Sequence, residues 1–156
     1  MDIQTGKYDP LTHLADERFA GVRLRWGPTG EGRWATTQWW TTEAGTPMGT
    51  ITLRRGLTSA ETRSTLAHEL VHVERGPCAT TEAATDELVA LDEGITDFVA
   101  AARLLPTAAL AGLSEGVAHR GVETVALELE VDVRTVEVGI ALAAAAAAWA
   151  DADGDA

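Results

Sequence analysis

The period of the apolar and polar positions changes along the chain, and the first part has the two-residue period of strands. Val22-Arg23-Leu24-Arg25-Trp26 alternates apolar and polar side chains, as a half-buried strand does. Residues 33–42 are rich in β-forming side chains and predict a second strand, and residues 50–54 alternate again and predict a third. The glycines and proline of residues 27–32 predict a loop. We therefore expect a small antiparallel or mixed sheet within an N-terminal segment of residues 1–57.

From residue 58 the apolar positions recur with a helical period. Thr58 and Glu61 fit a capping box, in which the hydroxyl and the carboxylate satisfy backbone N–H groups at a helix start. Gly76 followed by Pro77 predicts the end of that helix. The apolar side chains between these limits form one stripe that we expect to be buried: Leu66, Leu70, Val71 and Val73.

A second helix is predicted before Pro106. Its apolar positions form a regular stripe of Leu88, Leu91, Ile95, Phe98, Ala102 and Leu105. Glu93 and Asp97 fall on the opposite side of this helix. By amphipathicity alone, the stripe would face the core and the two carboxylates would lie on a solvated face. Residues 58–106 thus predict a pair of helices.

The C-terminal third predicts further helices. They cover residues 107–113, 122–129 and 133–149, with a break at Ser114-Glu115-Gly116. Residues 151–156 predict a disordered acidic tail. The whole chain therefore predicts one domain of α+β class, with the C-terminal helices in residues 107–150.

The composition narrows the class of protein. A net charge of −12 argues against sequence-independent nucleic-acid binding, which requires clustered Lys and Arg. Cys78 is the only cysteine, which excludes an internal disulfide or a four-Cys zinc module, and we interpret it as a loop thiol. Residues 1–7 lack the layout of a secretory signal, and the apolar run of residues 138–150 is too short to span a bilayer. We therefore expect a cytoplasmic protein without nucleic-acid or membrane partners.

The basic residues are unevenly distributed. Seven of the twelve lie between residues 18 and 63, whereas the sequence after residue 76 is strongly acidic. The seven are Arg18, Arg23, Arg25, Arg33, Arg54, Arg55 and Arg63. One interpretation is a basic rim near a cleft, where it would favour an acidic peptide. We prefer the other interpretation, in which these arginines lie on the solvated faces of strands. The tryptophans of this region, Trp34, Trp39 and Trp40, are interpreted as core and sheet packing.

Candidate chemistry lies in His68-Glu69-Leu70-Val71-His72, an H-E-x-x-H element inside the first long predicted helix. Residues four apart share a helix face, so the two imidazoles can converge on one metal ion. Glu69 follows His68 directly and can reach a water on that metal. The element predicts metal-assisted hydrolysis. The alternative is a surface helix with two histidines and no metal.

A zinc hydrolase site usually has a third protein ligand, and the second helix offers carboxylates for it. Glu93 comes 21 positions after His72, and Asp97 lies one helical turn further. A Glu ligand on a downstream helix, with an Asp four residues later, resembles the gluzincin arrangement of thermolysin-like peptidases. This resemblance implies Glu93 as the third ligand and Asp97 as a partner that orients a ligand histidine, His68. The alternatives for the third ligand are Asp92, Glu87 and Asp86.

A wider stretch resembles one family, the ImmA/IrrE metallopeptidases, including short members from phages. The similar parts are residues 65–72, with the sequence Thr-Leu-Ala-His-Glu-Leu-Val-His, and the run of residues 98–105 before Pro106. The resemblance covers roughly residues 48–106. The family usually carries Glu-Ala-Asn or a similar triplet before its Phe-Ala, whereas this chain has Gly94-Ile95-Thr96-Asp97.

The resemblance implies a minimal zincin-like fold and one Zn²⁺ per chain, held by His68, His72 and Glu93. It implies hydrolysis of peptide bonds with Glu69 as general base, in a protein substrate such as a repressor or another regulatory protein. For a phage product, the compartment would be the host cytoplasm. It also implies that an extended substrate adds to a sheet edge at residues 49–54 or a neighbouring strand.

A protein of another class fits the same ligands, namely a metal-binding regulatory or interaction module with the peptidase fold and no significant proteolysis. Glu69 favours catalysis, because a scaffold needs only the metal ligands. A third alternative is an accidental motif in a metal-free acidic protein. Elsewhere in the chain, His119 is interpreted as a surface side chain rather than an oxyanion-binding group.

Overall fold

The structure is a computed structural model that describes residues 7–76 and 85–154, with side chains up to residue 150. A three-stranded sheet near the N-terminus is followed by helices, so the predicted α+β class is confirmed. The first elements are α1 (Pro10–Leu14), a 3-10 turn (Glu17–Phe19), β1 (Gly21–Gly27), β2 (Ala35–Thr41) and β3 (Pro47–Arg54). The later helices are α2 (Ser59–Arg75), α3 (Asp86–Leu104), α4 (Thr107–Leu110), α5 (Leu113–Arg120), α6 (Val122–Leu129) and α7 (Val133–Gly154).

The sheet is mixed, with the strand order β1-β3-β2. The central strand β3 is parallel to β1 and antiparallel to β2. On one face, Ile51 and Leu53 are fully buried, and Val22 of β1 belongs to the same core. Leu66 and Leu70 of α2 complete that core, so α2 covers this face of the sheet. All three predicted strands are therefore present, with β1 and β2 at the edges.

Helix α2 has the caps that its sequence predicts. The Glu61 N–H donates to Thr58 Oγ1 at 3.2 Å, and the Thr58 N–H donates to the Glu61 carboxylate at 2.7 Å. Gly76 ends the helix with φ of 85°, a left-handed conformation that glycine adopts at little cost. The predicted apolar stripe is buried on two sides, because Leu66, Leu70 and Val73 join the sheet core and Val71 joins the core of the later helices.

Helix α3 presents a different side to the core from the one that its apolar stripe predicts. The buried residues are Thr96, Ala100, Ala101 and Leu104. Most of the predicted stripe is exposed instead, with exposed fractions of 53% for Leu88, 60% for Leu91, 41% for Ile95 and 39% for Phe98. The expectation of a buried stripe is therefore wrong, and Asp97, with a side chain that is 22% exposed, is turned toward α2, whereas Glu93 is 52% exposed.

The C-terminal helices depart from the prediction at three points, of which the first is that the helix predicted over residues 107–113 ends at Leu110. Ser114-Glu115-Gly116, the predicted break, lies inside α5, and the chain breaks at Gly121, where φ is 83°. Helix α7 continues to Gly154 and so includes four of the six residues predicted to be a disordered tail. Residues 155 and 156 lie outside the described residues.

Among the described helices, α7 alone is long and apolar enough to cross a membrane, with a mean hydropathy of 1.4 over Val133–Ala150. This window begins five residues before the apolar run of residues 138–150 and includes two charged residues, Arg134 and Glu137. The first half of α7 packs in the helical core, where Val136 and Val138 are buried. Over the whole window, however, only 22% is buried.

Arg63 on α2 connects the segment before α1 with the ends of α3 and α6. Its guanidinium donates hydrogen bonds of 3.0–3.3 Å to the carbonyl oxygens of Tyr8, Leu104, Leu129 and Glu130. Leu104 and Leu129 are the last residues of α3 and α6, so one side chain satisfies carbonyls that helix ends leave without a partner. This connection places α2 and α3 at fixed positions beside each other.

The tryptophans divide between the two faces of the sheet. Trp39 is partly buried against the sheet core, as predicted. Trp40 is 60% exposed, so the prediction of core packing is wrong for this residue. Successive strand residues point to opposite faces, and only one face of β2 is covered by α2. Cys78, which we predicted to be a loop thiol, lies outside the described residues.

Candidate metal centre

The H-E-x-x-H residues of α2 and the acidic side of α3 meet at one point. His68 Nε2 lies 3.1 Å from His72 Nε2 and 3.2 Å from Glu93 Oε2. His72 Nε2 lies 3.3 Å from Glu93 Oε1. The structure thus brings together all three residues that the sequence suggested as ligands. They form a group that could hold a metal ion.

The two histidine nitrogens have about the spacing of neighbouring ligands in tetrahedral coordination. Nitrogen and oxygen ligands about 2.0–2.1 Å from a tetrahedral metal are separated from one another by about 3.3–3.4 Å. The two Nε2 atoms are 3.1 Å apart, close to that value, and each lies 3.2–3.3 Å from a different carboxylate oxygen of Glu93. One nitrogen of each histidine and one oxygen of Glu93 lie within 4.8 Å of one another. The Glu93 side chain is 52% exposed, so the group opens toward solvent on one side. Three donors with one open side are the arrangement of a catalytic metal site, whereas a structural site is closed by four protein ligands.

Each histidine directs its other ring nitrogen toward a carboxylate of α3. Asp97 Oδ1 lies 2.9 Å from His68 Nδ1, within hydrogen-bond distance. Asp92 Oδ2 lies 3.6 Å from His72 Nδ1, slightly beyond that distance. Asp97 therefore occupies the position that the resemblance implied for it. Asp92, an alternative third ligand in the sequence, lies behind His72 instead.

An arginine holds each of these two carboxylates. Arg134 of α7 donates to Asp97 Oδ2 at 3.1 Å from Nη2 and 3.3 Å from Nε. Arg75 of α2 lies 2.8 Å from Asp92 Oδ1 and also donates to the hydroxyl of buried Thr96 at 2.9 Å. Sequence reasoning missed both arginines. Arg75 follows His72 by three residues and so shares its helix face, whereas no local pattern connects Arg134 with residues of α3.

The carboxylates around His68 favour its protonated form. Burial lowers the pKa of His68, but the hydrogen bonds to Asp97 and Glu93 and the charge of Glu69 outweigh it and raise that pKa to about 10. The two histidines hold the pKa of Glu93 far below its ordinary value. Burial raises the pKa of Asp97, yet its bond to His68 and the charge of Arg134 bring the pKa below the usual value. A metal ion that binds Nε2 of His68 must displace this proton.

Glu69 lies beside the metal-binding group, in a cleft of about 770 Å³ between β2, α2, α3 and the start of α7. His68, His72 and Glu93 line the same cleft. Thr37 of β2 donates its hydroxyl hydrogen to Glu69 Oε2 at 2.5 Å. This contact, which the sequence did not suggest, joins the edge strand to the glutamate of the H-E-x-x-H element.

The other candidates of the sequence lie elsewhere. Asp86 and Glu87 are exposed in the first turn of α3 and are not among the residues that line the cleft. His119 has a side chain that is 74% exposed and lies 3.8 Å from Glu115, in agreement with a surface position. The remaining histidine, His13, is partly buried, and its Nε2 lies 2.9 Å from Glu74 of α2.

No known protein family, curated protein or solved structure matched the chain. What the centre does is therefore inferred from the geometry of its own residues.

Proposed function

We propose that the protein is a zinc-dependent metallopeptidase in which His68, His72 and Glu93 hold one Zn²⁺ and Glu69 is the general base. The observation that carries this proposal is that one nitrogen of each imidazole and one carboxylate oxygen of Glu93 lie within 4.8 Å of one another, with Glu69 in the same cleft. Two imidazoles and one glutamate are the ligand set of thermolysin-like zinc hydrolases. The resemblance of residues 48–106 to the ImmA/IrrE metallopeptidases, with their zincin-like fold, supports the same class.

Zinc is the metal that this ligand set favours. Imidazole nitrogen suits Zn²⁺ better than it suits Mg²⁺ or Ca²⁺, which prefer all-oxygen sites. When bound, zinc supplies a Lewis acid that polarises a scissile carbonyl and lowers the pKa of water.

The residues around the metal-binding group transfer the proton and orient the base and the ligand. Glu69 accepts a proton from the attacking water and passes it to the leaving amine. The hydroxyl of Thr37 holds one carboxylate oxygen of Glu69, which restricts the orientation of the base. Asp97 fixes His68 with Nδ1 protonated, so that Nε2 carries the lone pair for the metal.

The substrate in this proposal is a protein segment in extended conformation. Residues 49–54, one of the strand positions expected to receive it, lie in the central strand β3, which already pairs on both sides. The neighbouring strand β2 has the free edge and lines the cleft with Thr37 and Trp39. An extended peptide can add to such an edge by backbone hydrogen bonds. The family resemblance supports a repressor or another regulatory protein as substrate, and the net charge of −12 argues against a nucleic acid as partner.

The metal is tested first. Protein purified without chelators or an affinity tag is analysed by elemental mass spectrometry, beside the His72→Ala variant. We expect about one zinc per chain in the wild type and a loss of that zinc in the variant. If the wild-type protein contains no metal and does not bind added zinc, the H-E-x-x-H element is accidental and the proposal is refuted.

Proteolysis is tested with Glu69→Gln, which keeps the shape of the side chain and all three metal ligands. A bacterial lysate is incubated with wild type or variant, and new peptide N-termini are identified by terminal labelling and mass spectrometry. We expect zinc-dependent new termini with the wild type alone. If both proteins bind zinc and neither produces new termini, the protein is the metal-binding interaction module rather than a peptidase.

A further inference from the structure

The basic residues of the chain divide into two groups by their partners. Lys7 and five arginines form ion pairs with described carboxylates: Arg18, Arg75, Arg103, Arg120 and Arg134. Arg63 donates to backbone carbonyls. Within the described residues, the other five arginines make no ion pair, and all belong to the sheet and its connections: Arg23, Arg25, Arg33, Arg54 and Arg55.

Three of these five arginines lie on one face of the sheet. The strand register places Arg23 beside Thr50, Arg25 beside Thr52 and Arg54 beside Gly27. On β2, Gln38 lies beside Thr50 and Trp40 beside Met48. These positions alternate with the buried Ile51 and Leu53, so they belong to the face that points away from α2. We call this surface the basic face and define it by Arg23, Arg25, Arg54, Gln38 and Trp40, all of them exposed.

The sheet holds the charges of the basic face at defined positions. Arg25 Nε donates to Thr52 Oγ1 at 2.8 Å, so its side chain lies across the central strand. Thr52 is only 5% exposed although it is on the outer face, in accord with cover by this arginine. Arg23 and Arg25 are two residues apart on one strand, which separates their Cα atoms by about 6.6 Å.

We infer that the basic face binds an acidic segment of a partner protein, in extended conformation, with an apolar side chain that contacts Trp40. Alternate side chains of an extended segment are also about 6.6 Å apart, so carboxylates at positions i and i+2 match Arg23 and Arg25. The whole chain has a net charge of −12, yet residues 21–57 contain five arginines and only two acidic residues, Glu31 and Glu43. Trp40, with 60% of its surface exposed, adds apolar area at the far strand.

A nucleic acid fits the basic face less well. Proteins that bind single strands without sequence preference stack successive bases on several aromatic side chains. The basic face, as defined, has one aromatic residue, Trp40. The acidic remainder of the chain also repels a polyphosphate more strongly than a short segment with a few carboxylates. This surface lies on the opposite side of the sheet from the α2 histidines, so its function is independent of catalysis in the cleft.

The test measures binding of two labelled probes to the full chain by fluorescence anisotropy. The first probe is a fluorescein-labelled twelve-residue peptide with repeated Glu-x-Glu units and one phenylalanine, and its counterpart has Gln in place of every Glu. The second probe is a labelled oligothymidylate of similar length. We expect the Glu peptide to bind at low salt, the Gln peptide to bind at least fivefold more weakly, and added salt to weaken the Glu peptide.

Two variants locate the binding. The double substitution Arg23→Gln/Arg54→Gln should weaken the Glu peptide by roughly three- to tenfold, since each exposed ion pair contributes little. Arg120→Gln, which removes an exposed arginine of α5, should leave its affinity within about twofold. Trp40→Phe should abolish most of the change in tryptophan fluorescence on binding, while the melting temperature of each variant reports its fold. Equal binding of Glu and Gln peptides, tighter binding of oligothymidylate, or an unchanged affinity in the double variant would overturn the inference.

Discussion

Asp97 should control zinc affinity more strongly than Asp92, although both carboxylates face a ligand histidine. Asp97 Oδ1 is 2.9 Å from His68 Nδ1, whereas Asp92 Oδ2 is 3.6 Å from His72 Nδ1. Only the first distance allows a hydrogen bond. We therefore compare Asp97→Asn with Asp92→Asn, since each substitution removes a charge and retains the size of the side chain.

The expected magnitude follows from the type of bond. A hydrogen bond to a charged group contributes about 1.5–3 kcal/mol and a neutral one about 0.5–1.5 kcal/mol, so Asp97→Asn should cost about 1–1.5 kcal/mol of zinc binding. That corresponds to an increase in Kd of roughly tenfold, at the lower end of the 10–100-fold typical for partners of ligand histidines. Asp92→Asn removes a charge that acts without a hydrogen bond to His72, and we expect a Kd within about threefold of wild type.

Zinc affinity is measured by competition with a chromophoric chelator at pH 7.5. Asp86→Asn, at an exposed position of the same helix, serves as the control and should leave the Kd unchanged. Melting temperatures of the metal-free variants separate a loss of stability from a loss of ligand orientation. Equal effects of Asp97→Asn and Asp92→Asn, or no effect of Asp97→Asn, would show that the bond to His68 does not set the affinity.

Three further outcomes are expected. Thr37→Val, which removes the donor to Glu69, should reduce kcat by roughly tenfold and leave zinc content unchanged, as measured by initial rates and elemental analysis. In the metal-free protein, the pKa of His68 is raised from 6.5 to about 10. Protonated His68 therefore contributes to the free energy of unfolding. This contribution is complete below pH 6.5 and is lost as the pH rises toward 10. The melting temperature in a chelator should therefore fall over that range, and fall less in His68→Gln. A Cβ at Gly49 would lie 2.2 Å from a backbone oxygen of β2, so Gly49→Ala should cost at least about 2 kcal/mol in urea unfolding. Gly27→Ala, with its nearest contact at 3.4 Å, should cost less than about 1 kcal/mol.

The elements that the sequence predicted well are those with local causes. The capping box of Thr58 and Glu61 and the helix end at Gly76 depend on residues within one turn of one another, and the structure has both. The strands follow the two-residue alternation, although their ends differ by a few residues from the prediction. Strand order was not predictable in this way, because pairing of β1 with β3 rather than β2 depends on contacts between distant segments.

Helix α3 shows where local reasoning failed. Its most apolar side is exposed at Leu91 and Phe98, while Thr96 and Ala100 face the core. Amphipathicity assumes that burial of apolar area alone orients a helix. Here the hydrogen bond between His68 and Asp97 and the ion pair between Arg75 and Asp92 hold two carboxylates toward α2, with side chains that are 22% and 12% exposed. Each inward carboxylate has a cationic partner, which offsets the cost of moving it away from water.

The sequence by itself determined that His68 and His72 share a helix face with Glu69 beside them, because residue spacing along a helix is a local property of the backbone. It also narrowed the third ligand to a few carboxylates of one later helix. Only the tertiary structure decided that Glu93 meets the histidines, that Asp92 and Asp97 lie behind them, and that Thr37 reaches Glu69. The physical reason is that these contacts join segments up to 32 residues apart, and their geometry depends on how α2, α3 and the sheet pack together.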